Sequence, residues 1–448
     1  MIVSQTTTCK NSSYQFLYDM FIKNPYNPDM FEPVLGDLQG LYGCLGFTCE
    51  DVGTLGDYYS AVQAVQCNPV PEKLPLAGYQ PMTNVNPHAL IDQDILEIKQ
   101  LTTLGLFTAA RRIYEFGKHS IKKSGEYPPP LRTLKGMATS NNRKKVLNYF
   151  DIFKDYWGDM NYADTFVEEA FNGEGKMKTA SDAQRKEIIL KTIQYQTMYM
   201  YALYECQDAV DDCISGDQLN NIDAAHAWDE CVAFFVGSLE GPMWPGASEN
   251  DGMLHFNLGT HQGPTFGTLS SSGSTSKFNE ELMELFGLGK GALERNQCKE
   301  ALNIVHKIER KTLIPLIQGV LQCATKNDKI QSFDMESEHL AEGEAFAKAI
   351  LPLLDFFDSR VARTVRDNMI MDGTERPVID GPQAVADALA SVLDGLNIDC
   401  NEIGSDGSTN ICMNDQLVFD EMSGGEKSSI AFAFTVATIA GIISTFTL

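Results

Sequence analysis

The sequence predicts a mainly α-helical protein: a duplicated helical-bundle unit with a cysteine-rich N-terminal region and a C-terminal hydrophobic anchor. Three observations support this fold class. Apolar residues recur with a helical period in 91–120 and 183–213. A histidine with a carboxylate one turn on occurs at His226 and again at His339. The last nineteen residues, 430–448, carry no charge.

These features divide the chain into six parts. We expect a Cys/Tyr/Gly-rich N-terminal region (1–75), a first helical half (76–245), a Gly/Ser-rich loop (246–277), a second helical half (278–398), a stalk (399–429) and a hydrophobic membrane anchor (430–448).

Charge and cysteine content limit the class of protein. Lys and Arg number 35 against 60 Asp and Glu, a net charge of −25 that argues against nucleic acid or anionic membrane as a partner. The eleven cysteines include no C-x-x-C pair, so a structural zinc site is not expected. They fit scattered disulfides of an exported protein, with Cys206–Cys213 and Cys400–Cys412 among the short loops that could be bridged.

The two ends of the sequence give different indications about export. Residues 1–6 have neither a basic region nor an apolar run, so either a leader is missing from the sequence or the protein is not exported. Residues 430–448 are about long enough to span a bilayer, and small residues at 423–425 precede them. We expect a membrane anchor, either a spanning helix or a segment exchanged for a lipid. The alternative is an apolar helix docked on the domain.

The first helical half begins after a five-proline junction at 69–87. The stretch 107–120 is predicted to be a helix closed by a glycine C-cap and carries Arg111 and Arg112. They begin a basic cluster that continues through Lys122, Lys123, Arg132 and Lys135 to 143–145. The cluster could hold an anion, or it could pair with neighbouring carboxylates. The long helix over 183–213 has an aromatic and methionine stripe that is typical of core. Tyr204 and Glu205 lie near its polar edge and are candidate metal ligands.

The stretch 221–241 has the strongest chemical pattern. Asp223 is a predicted N-cap. His226, Asp229 and Glu230 share one helical face, because they are spaced i, i+3 and i+4. Gly237 and Gly241 end the helix and place Glu240 on the turn beyond. A face of imidazole and carboxylates beside an aromatic face can present hard metal ligands from a bundle. Its alternative is a helix with solvated charges.

The second half repeats this pattern, with His339-x-x-Glu342 on a helix 113 residues beyond His226. A duplicated unit could bring the two polar faces to one shared site, as in di-iron bundles. His306-x-x-Glu309 also fits the pattern, which shows how readily an acidic helical protein produces it.

Several segments together resemble one known family. They are 107–120, WDECVAFFVGSLEG (228–241), DGML (251–254), KTLIPLIQGV (311–320) and AEGEAFAKAILPL (341–353). The chain resembles the algal Fe-assimilating proteins, whose diatom members are called phytotransferrins, over roughly residues 90–370. The resemblance implies an iron-starvation-induced cell-surface protein that captures Fe³⁺, with carbonate as a synergistic anion and endocytic internalisation that leads to an endosome. After Gly252 the family's Lys/Arg- and Cys-containing segment is replaced here by 258–264.

Ferric iron prefers carboxylate, phenolate and some imidazole ligands. The candidate ligands are His226, Asp229, Glu230, Glu240, Tyr204, Glu338, His339 and Glu342. Arg111 or Arg112 would hold the carbonate. We expect iron release at acidic pH, since protons compete for the ligands.

We therefore predict a non-enzymatic iron-binding receptor, with membrane contact through its C-terminal segment. Endocytic or reductase partners are left open. One alternative is a His/carboxylate metalloenzyme, although no His-Glu-x-x-His signature is present. Another is a metal-free adhesion or structural surface protein.

Overall fold

The computed structural model describes residues 73–122, 130–141, 147–216, 222–246, 252–328, 337–371 and 377–412. Within these ranges the chain forms helices and three isolated β-bridges but no strand, so the predicted mainly α class is confirmed. Most of the predicted N-terminal region and the whole predicted anchor lie outside the described residues. None of the described helices is both long and apolar enough to cross a membrane.

Within the described residues before 246 there are nine α-helices. They are α1 (Asn86–Ala89), α2 (Ile91–Thr103), α3 (Phe107–Phe116), α4 (Leu134–Ala138), α5 (Leu147–Trp157), α6 (Tyr162–Asn172), α7 (Asp182–Thr192), α8 (Tyr199–Ser215) and α9 (Ile222–Val236).

Nine more follow within the described residues after 252. They are α10 (His255–Thr265), α11 (Lys277–Glu294), α12 (Cys298–Lys311), α13 (Leu313–Asp328), α14 (Glu338–Phe357), α15 (Ser359–Met369), α16 (Pro382–Ala390), α17 (Leu393–Leu396) and α18 (Cys400–Ile403).

The predicted long helix is continuous over 182–215. Its first part, α7, starts with a capping box at Ser181 and Gln184, and a π-helical turn (Ile193–Met198) joins it to α8. The stripe residues Tyr195, Met198 and Tyr199 are buried, as expected for core. This long helix is therefore the central element against which the site-bearing helix packs.

Helix α9 packs most extensively against α8 and also contacts α1 and α11. Trp228 is fully buried, and its Nε1 donates to Phe286 O at 3.1 Å. Gly237, at φ 84°, ends the helix as predicted, because a left-handed residue there costs a glycine little. Asp223 lies in the first turn of α9, one residue after the helix begins.

Two disulfides fix the neighbourhood of α8. Cys206 pairs with Cys231 and joins α8 to α9, while Cys213 pairs with Cys298 at the start of α12. The predicted Cys206–Cys213 pairing is therefore wrong: seven residues apart on one helix, the two thiols each meet a neighbouring helix instead. Cys400 and Cys412 are also disulfide-bonded.

Two segments expected to be irregular contain regular structure. The stretch 246–277 includes helix α10, in which His255 is buried among aromatic rings. The described part of the predicted stalk, 399–412, includes α18, and Ile403 O accepts a hydrogen bond from Gln318 Nε2 at 2.7 Å.

The helices that carry the repeated pattern have different neighbours. Helix α14, with His339, packs mainly against α7, α13 and α15, whereas α9 packs mainly against α8, α1 and α11. The two polar faces therefore belong to separate surroundings.

Candidate metal centre

Three side chains converge at the junction of α1 and α9. One ligand atom each from His88, His226 and Glu230 lies within 4.8 Å of the others. Oε1 of Glu230 is 2.5 Å from Nε2 of His88 and 2.9 Å from Nε2 of His226. The two imidazole rings meet edge to face at 5.2 Å. Within the described part of the chain, this is the one group of at least three His, Cys, Asp or Glu residues placed to hold a metal ion.

The His88-bearing helix is held in register with the end of α9. Ser238 N donates to Ala89 O at 3.3 Å. The buried carboxylate of Asp92 accepts Ser238 Oγ and Leu239 N, both at 2.7 Å. These bonds fix α1 and the start of α2 against the chain just beyond α9, so that His88 and His226, 138 positions apart, share one site.

A guanidinium group approaches the same point. Nη2 of Arg132 contacts Nε2 of His88, the nitrogen that also faces Glu230, and Nη1 donates to Ile121 O at 2.5 Å. Its backbone N donates to Ser120 O, and Ser120 Oγ in turn donates to Pro87 O at 2.8 Å. The turn that carries Arg132 is thereby tied to α1.

The electrostatics favour an ionised carboxylate at the centre. Burial would raise the pKa of Glu230, but hydrogen bonds from His226 and His88 outweigh it and lower that pKa. The hydrogen bond to Glu230 raises the pKa of His226. For His88, burial prevails and lowers the pKa, so His88 is the imidazole that more readily stays neutral.

A second carboxyl group lies behind Glu230. Burial, followed by the charge of Glu230, raises the pKa of Glu205 well above its usual value. Burial and the neighbouring Glu230 carboxylate, to which Glu205 is hydrogen-bonded, both favour the protonated form of Glu205. Tyr201 is hydrogen-bonded to Glu205, and burial raises the pKa of its hydroxyl.

Asp229, predicted as a ligand, belongs to a neighbouring network. Oδ1 of Asp229 accepts a hydrogen bond from Tyr79 OH at 2.8 Å. Oδ2 of Asp229 accepts two hydrogen bonds from Thr83, one from its backbone N at 2.6 Å and one from its Oγ1 at 2.9 Å. Asp229 is fully buried, and both of its oxygens are engaged by these groups.

Two further candidates from the first half lie apart from the three-residue group. The Glu240 carboxylate sits on the turn after α9 as predicted, but it packs against Gly246 and Gly252, where a Cβ would collide with it. Tyr204 is buried and donates to Asp208 Oδ2 at 3.0 Å on its own helix.

The second-half candidates form ion pairs with lysines. Glu342 lies 3.5 Å from Lys191 Nζ and 3.5 Å from Nδ1 of His339. Burial would raise the pKa of Glu342, but Lys191, first among the opposing groups, brings it to about 2. Glu338 pairs with Lys186 at 3.2 Å.

The arginines predicted to hold an anion are also elsewhere. Arg111 pairs with Glu168 at 2.8 Å and with Glu115 at 3.3 Å, and Lys135 bridges the same two carboxylates. Arg112 is exposed. Arg132 is the arginine that the structure places beside His88 and Glu230.

The three donors fit a first-row transition metal. Metal bonds of about 2.1 Å at right angles separate neighbouring ligand atoms by about 3.0 Å. The 2.9 Å between His226 and Glu230 is close to this spacing, whereas the 2.5 Å between His88 and Glu230 would have to widen on metal binding. Two imidazoles and one carboxylate on one side of an ion form the facial set used for non-haem iron, with open positions opposite. A cation at the centre would satisfy all three donor atoms.

A comparison with protein families agrees with this chemistry. Residues 19–266, more than half of the chain, match the Fea1 family model, described as low iron-inducible periplasmic protein. The chain belongs to the Fea1 family. The resemblance to algal Fe-assimilating proteins is thereby confirmed. The Fea1 match contains His88, Arg132, His226 and Glu230, whereas the similar segments 311–320 and 341–353 lie beyond it. Searches of curated proteins and of solved structures gave no match.

Sequence reasoning found His226 and Glu230 but missed His88 and Arg132. His88 follows the five-proline junction on a four-residue helix, with no periodic pattern around it. Arg132 is one of several basic residues between 111 and 145, and nothing in the local sequence distinguishes it from the others. The one available signal for His88 was that it is among only seven histidines.

Proposed function

We propose that this Fea1 family protein binds iron through His88, His226 and Glu230 and serves iron capture at the cell surface. The observation that carries the proposal is the convergence of these three donors in a chain whose family is described as low iron-inducible. In this proposal iron is the ion that is captured and not a permanent cofactor, so the site must be able to bind it and release it.

The oxidation state follows from what completes the coordination sphere. Two imidazoles and a carboxylate leave open positions, and hard oxygen ligands there would favour Fe³⁺. The Arg132 guanidinium, which donates but cannot accept, is placed to hold a small oxyanion such as carbonate beside His88. We propose Fe³⁺ with carbonate as the bound form, and endocytic internalisation followed by release in an acidic compartment.

Titration of the purified protein tests the proposal. We expect saturable binding of Fe³⁺, with one ion per chain, and tighter binding when bicarbonate is present. His88→Gln should abolish this binding. His339→Gln is the matched control, because His339 also pairs with a carboxylate, that of Glu342, but this carboxylate is paired with Lys191 as well. Wild-type protein that shows no saturable binding of Fe³⁺ or, without oxygen, of Fe²⁺ would refute the proposal.

The same donor set favours one second candidate. Non-haem Fe²⁺ oxygenases use two histidines and a carboxylate and bind oxygen and a co-substrate in the open positions. Oxygen consumption by the Fe²⁺-loaded protein with candidate co-substrates separates an enzyme from a receptor. We propose the receptor, because Arg132 already lies at the site and suits it to a small anion.

A further inference from the structure

The Thr83 hydroxyl lies between Asp229 and the outer nitrogen of His226. Thr83 Oγ1 is 2.9 Å from Asp229 Oδ2 and 2.9 Å from Nδ1 of His226. The opposite ring nitrogen, Nε2, faces Glu230. Thr83 therefore contacts the side of the imidazole that points away from the metal-ligand group.

The number of hydrogens on these groups determines which of them donates and which accepts each hydrogen bond. A hydroxyl has one hydrogen, and an ionised carboxylate can only accept. Once Thr83 donates its hydrogen to Asp229, its oxygen can only accept from the ring. Nδ1 of His226 must then carry a proton, so that Nε2 is the nitrogen that can give its lone pair to a metal.

We propose that Asp229 and Thr83 form a positioning relay that keeps a proton on Nδ1 of His226 and thereby presents Nε2 as the metal ligand. The proposal rests on the function proposed above for the three-residue group. In this proposal Asp229, which the helical spacing suggested as a metal ligand, instead positions the ligand His226 through Thr83. Partners of this kind fix the ring orientation and the tautomer of metal-binding histidines.

The surroundings hold the relay rigidly. Asp229 is fully buried and is held by Tyr79 and by the backbone N of Thr83. The segment that carries Thr83 is fastened to the end of α9, since Ala77 N donates to Gly241 O at 2.8 Å and Gly78 N to Pro242 O at 3.1 Å. His226 is the more exposed of the two histidines, with 42% of its side chain accessible against 7% for His88. It therefore depends more on a fixed partner.

The relay can be tested first in the metal-free protein. With ¹⁵N-labelled histidines, the proton on Nδ1 of His226 is expected as a resolved NMR signal, assigned by its loss in His226→Gln. Thr83→Ser should keep the signal. Thr83→Val should speed exchange of this proton with water by roughly tenfold, as expected for one lost hydrogen bond. An unchanged signal in Thr83→Val would overturn the proposal.

Iron titration then measures what the relay contributes. Thr83→Val and Asp229→Asn should each bind iron about 10–100-fold more weakly than wild type, whereas Thr83→Ser should bind nearly as well. The Asn amide can donate to Thr83, which frees the hydroxyl to donate to Nδ1 and places the ring proton on Nε2 instead. Thr102→Val is the matched control, since that buried hydroxyl bonds only within its own helix.

The outcomes distinguish the relay from the iron site itself. If wild-type protein binds no iron, the proposed function fails, but the ring-proton signal still decides whether the relay exists. If wild type binds iron and Thr83→Val binds equally well, the relay proposal is refuted and the iron site stands.

Discussion

The affinity of the site for iron should fall about tenfold for each pH unit once the pH is below the pKa of His226, because one proton then competes with the metal. That proton is on His226, whose pKa is raised by its hydrogen bond to Glu230. Metal binding needs the lone pair of Nε2, so the proton must leave first. The experiment therefore varies the pH at a constant iron concentration.

The expected slope of one proton follows from the different environments of the ligands. Burial lowers the pKa of His88, and hydrogen bonds from both histidines lower that of Glu230. Neither group therefore competes for protons near neutral pH. A second proton, and a steeper slope, should appear only under more acidic conditions, where His88 also becomes protonated.

Metal-free stability should change with pH in the opposite direction. The pKa of His226 is raised in the folded protein. Its pairing with Glu230 thus stabilises the fold fully below the unfolded pKa of about 6.5, and this contribution is lost as pH rises through the folded pKa. Iron binding strengthens over the same interval. In the metal-free protein His226→Gln should therefore flatten the pH dependence of the unfolding free energy.

The assay is competition against a chelator whose iron affinity is known at each pH, run without bicarbonate because carbonate formed from it would release a proton of its own. Unfolding by denaturant is run in parallel on metal-free protein. An affinity that stays flat from pH 8 to pH 5 would refute the proton-competition mechanism. A slope of two protons across the whole range would refute the division of roles between His226 and His88.

Two further predictions concern the packing that supports the site. Gly289→Ala should cost about 1–3 kcal/mol, since a Cβ there would collide with the buried Trp228 ring. Gly287 lies on the same helix, and a Cβ added there would meet no atom within 4 Å. Gly287→Ala should therefore be neutral or stabilising, as measured by denaturant unfolding. Glu344→Gln should cost about 3–5 kcal/mol, because it leaves Lys348 buried without the carboxylate now 2.6 Å away. Glu338→Gln, which breaks only an exposed pair, should stay within about 1 kcal/mol. Equal losses in either comparison would contradict the burial argument.

Local pattern predicted the helices well because their determinants are local. The long helix over 182–215 and the end of α9 at Gly237 follow from periodicity, capping and glycine. The i, i+4 spacing likewise brings His226 and Glu230 to one point.

The remaining part of the site depends on tertiary contacts. His88 reaches Glu230 because Ala89 in α1 and Asp92 in α2 bind the chain just beyond α9. Asp229 shares the polar face of His226, yet Thr83 and Tyr79 from an irregular segment fold over it. Spacing along a helix specifies which side chains share a face, but the partners that cover the face come from distant sequence.

The two repeats of the His-carboxylate pattern show why such partners decide the chemistry. Around Glu342 the described neighbours include Lys191 at 3.5 Å and Lys326 at 4.0 Å, so the carboxylate already has cationic partners. A metal ion there would have to displace ammonium groups and would meet their repulsion. The ion-pair partners of Glu230 are instead two imidazoles, which become metal ligands by losing a proton, while the Arg132 guanidinium contacts His88. The same pattern therefore gives a structural ion pair in one half of the chain and a candidate iron site in the other.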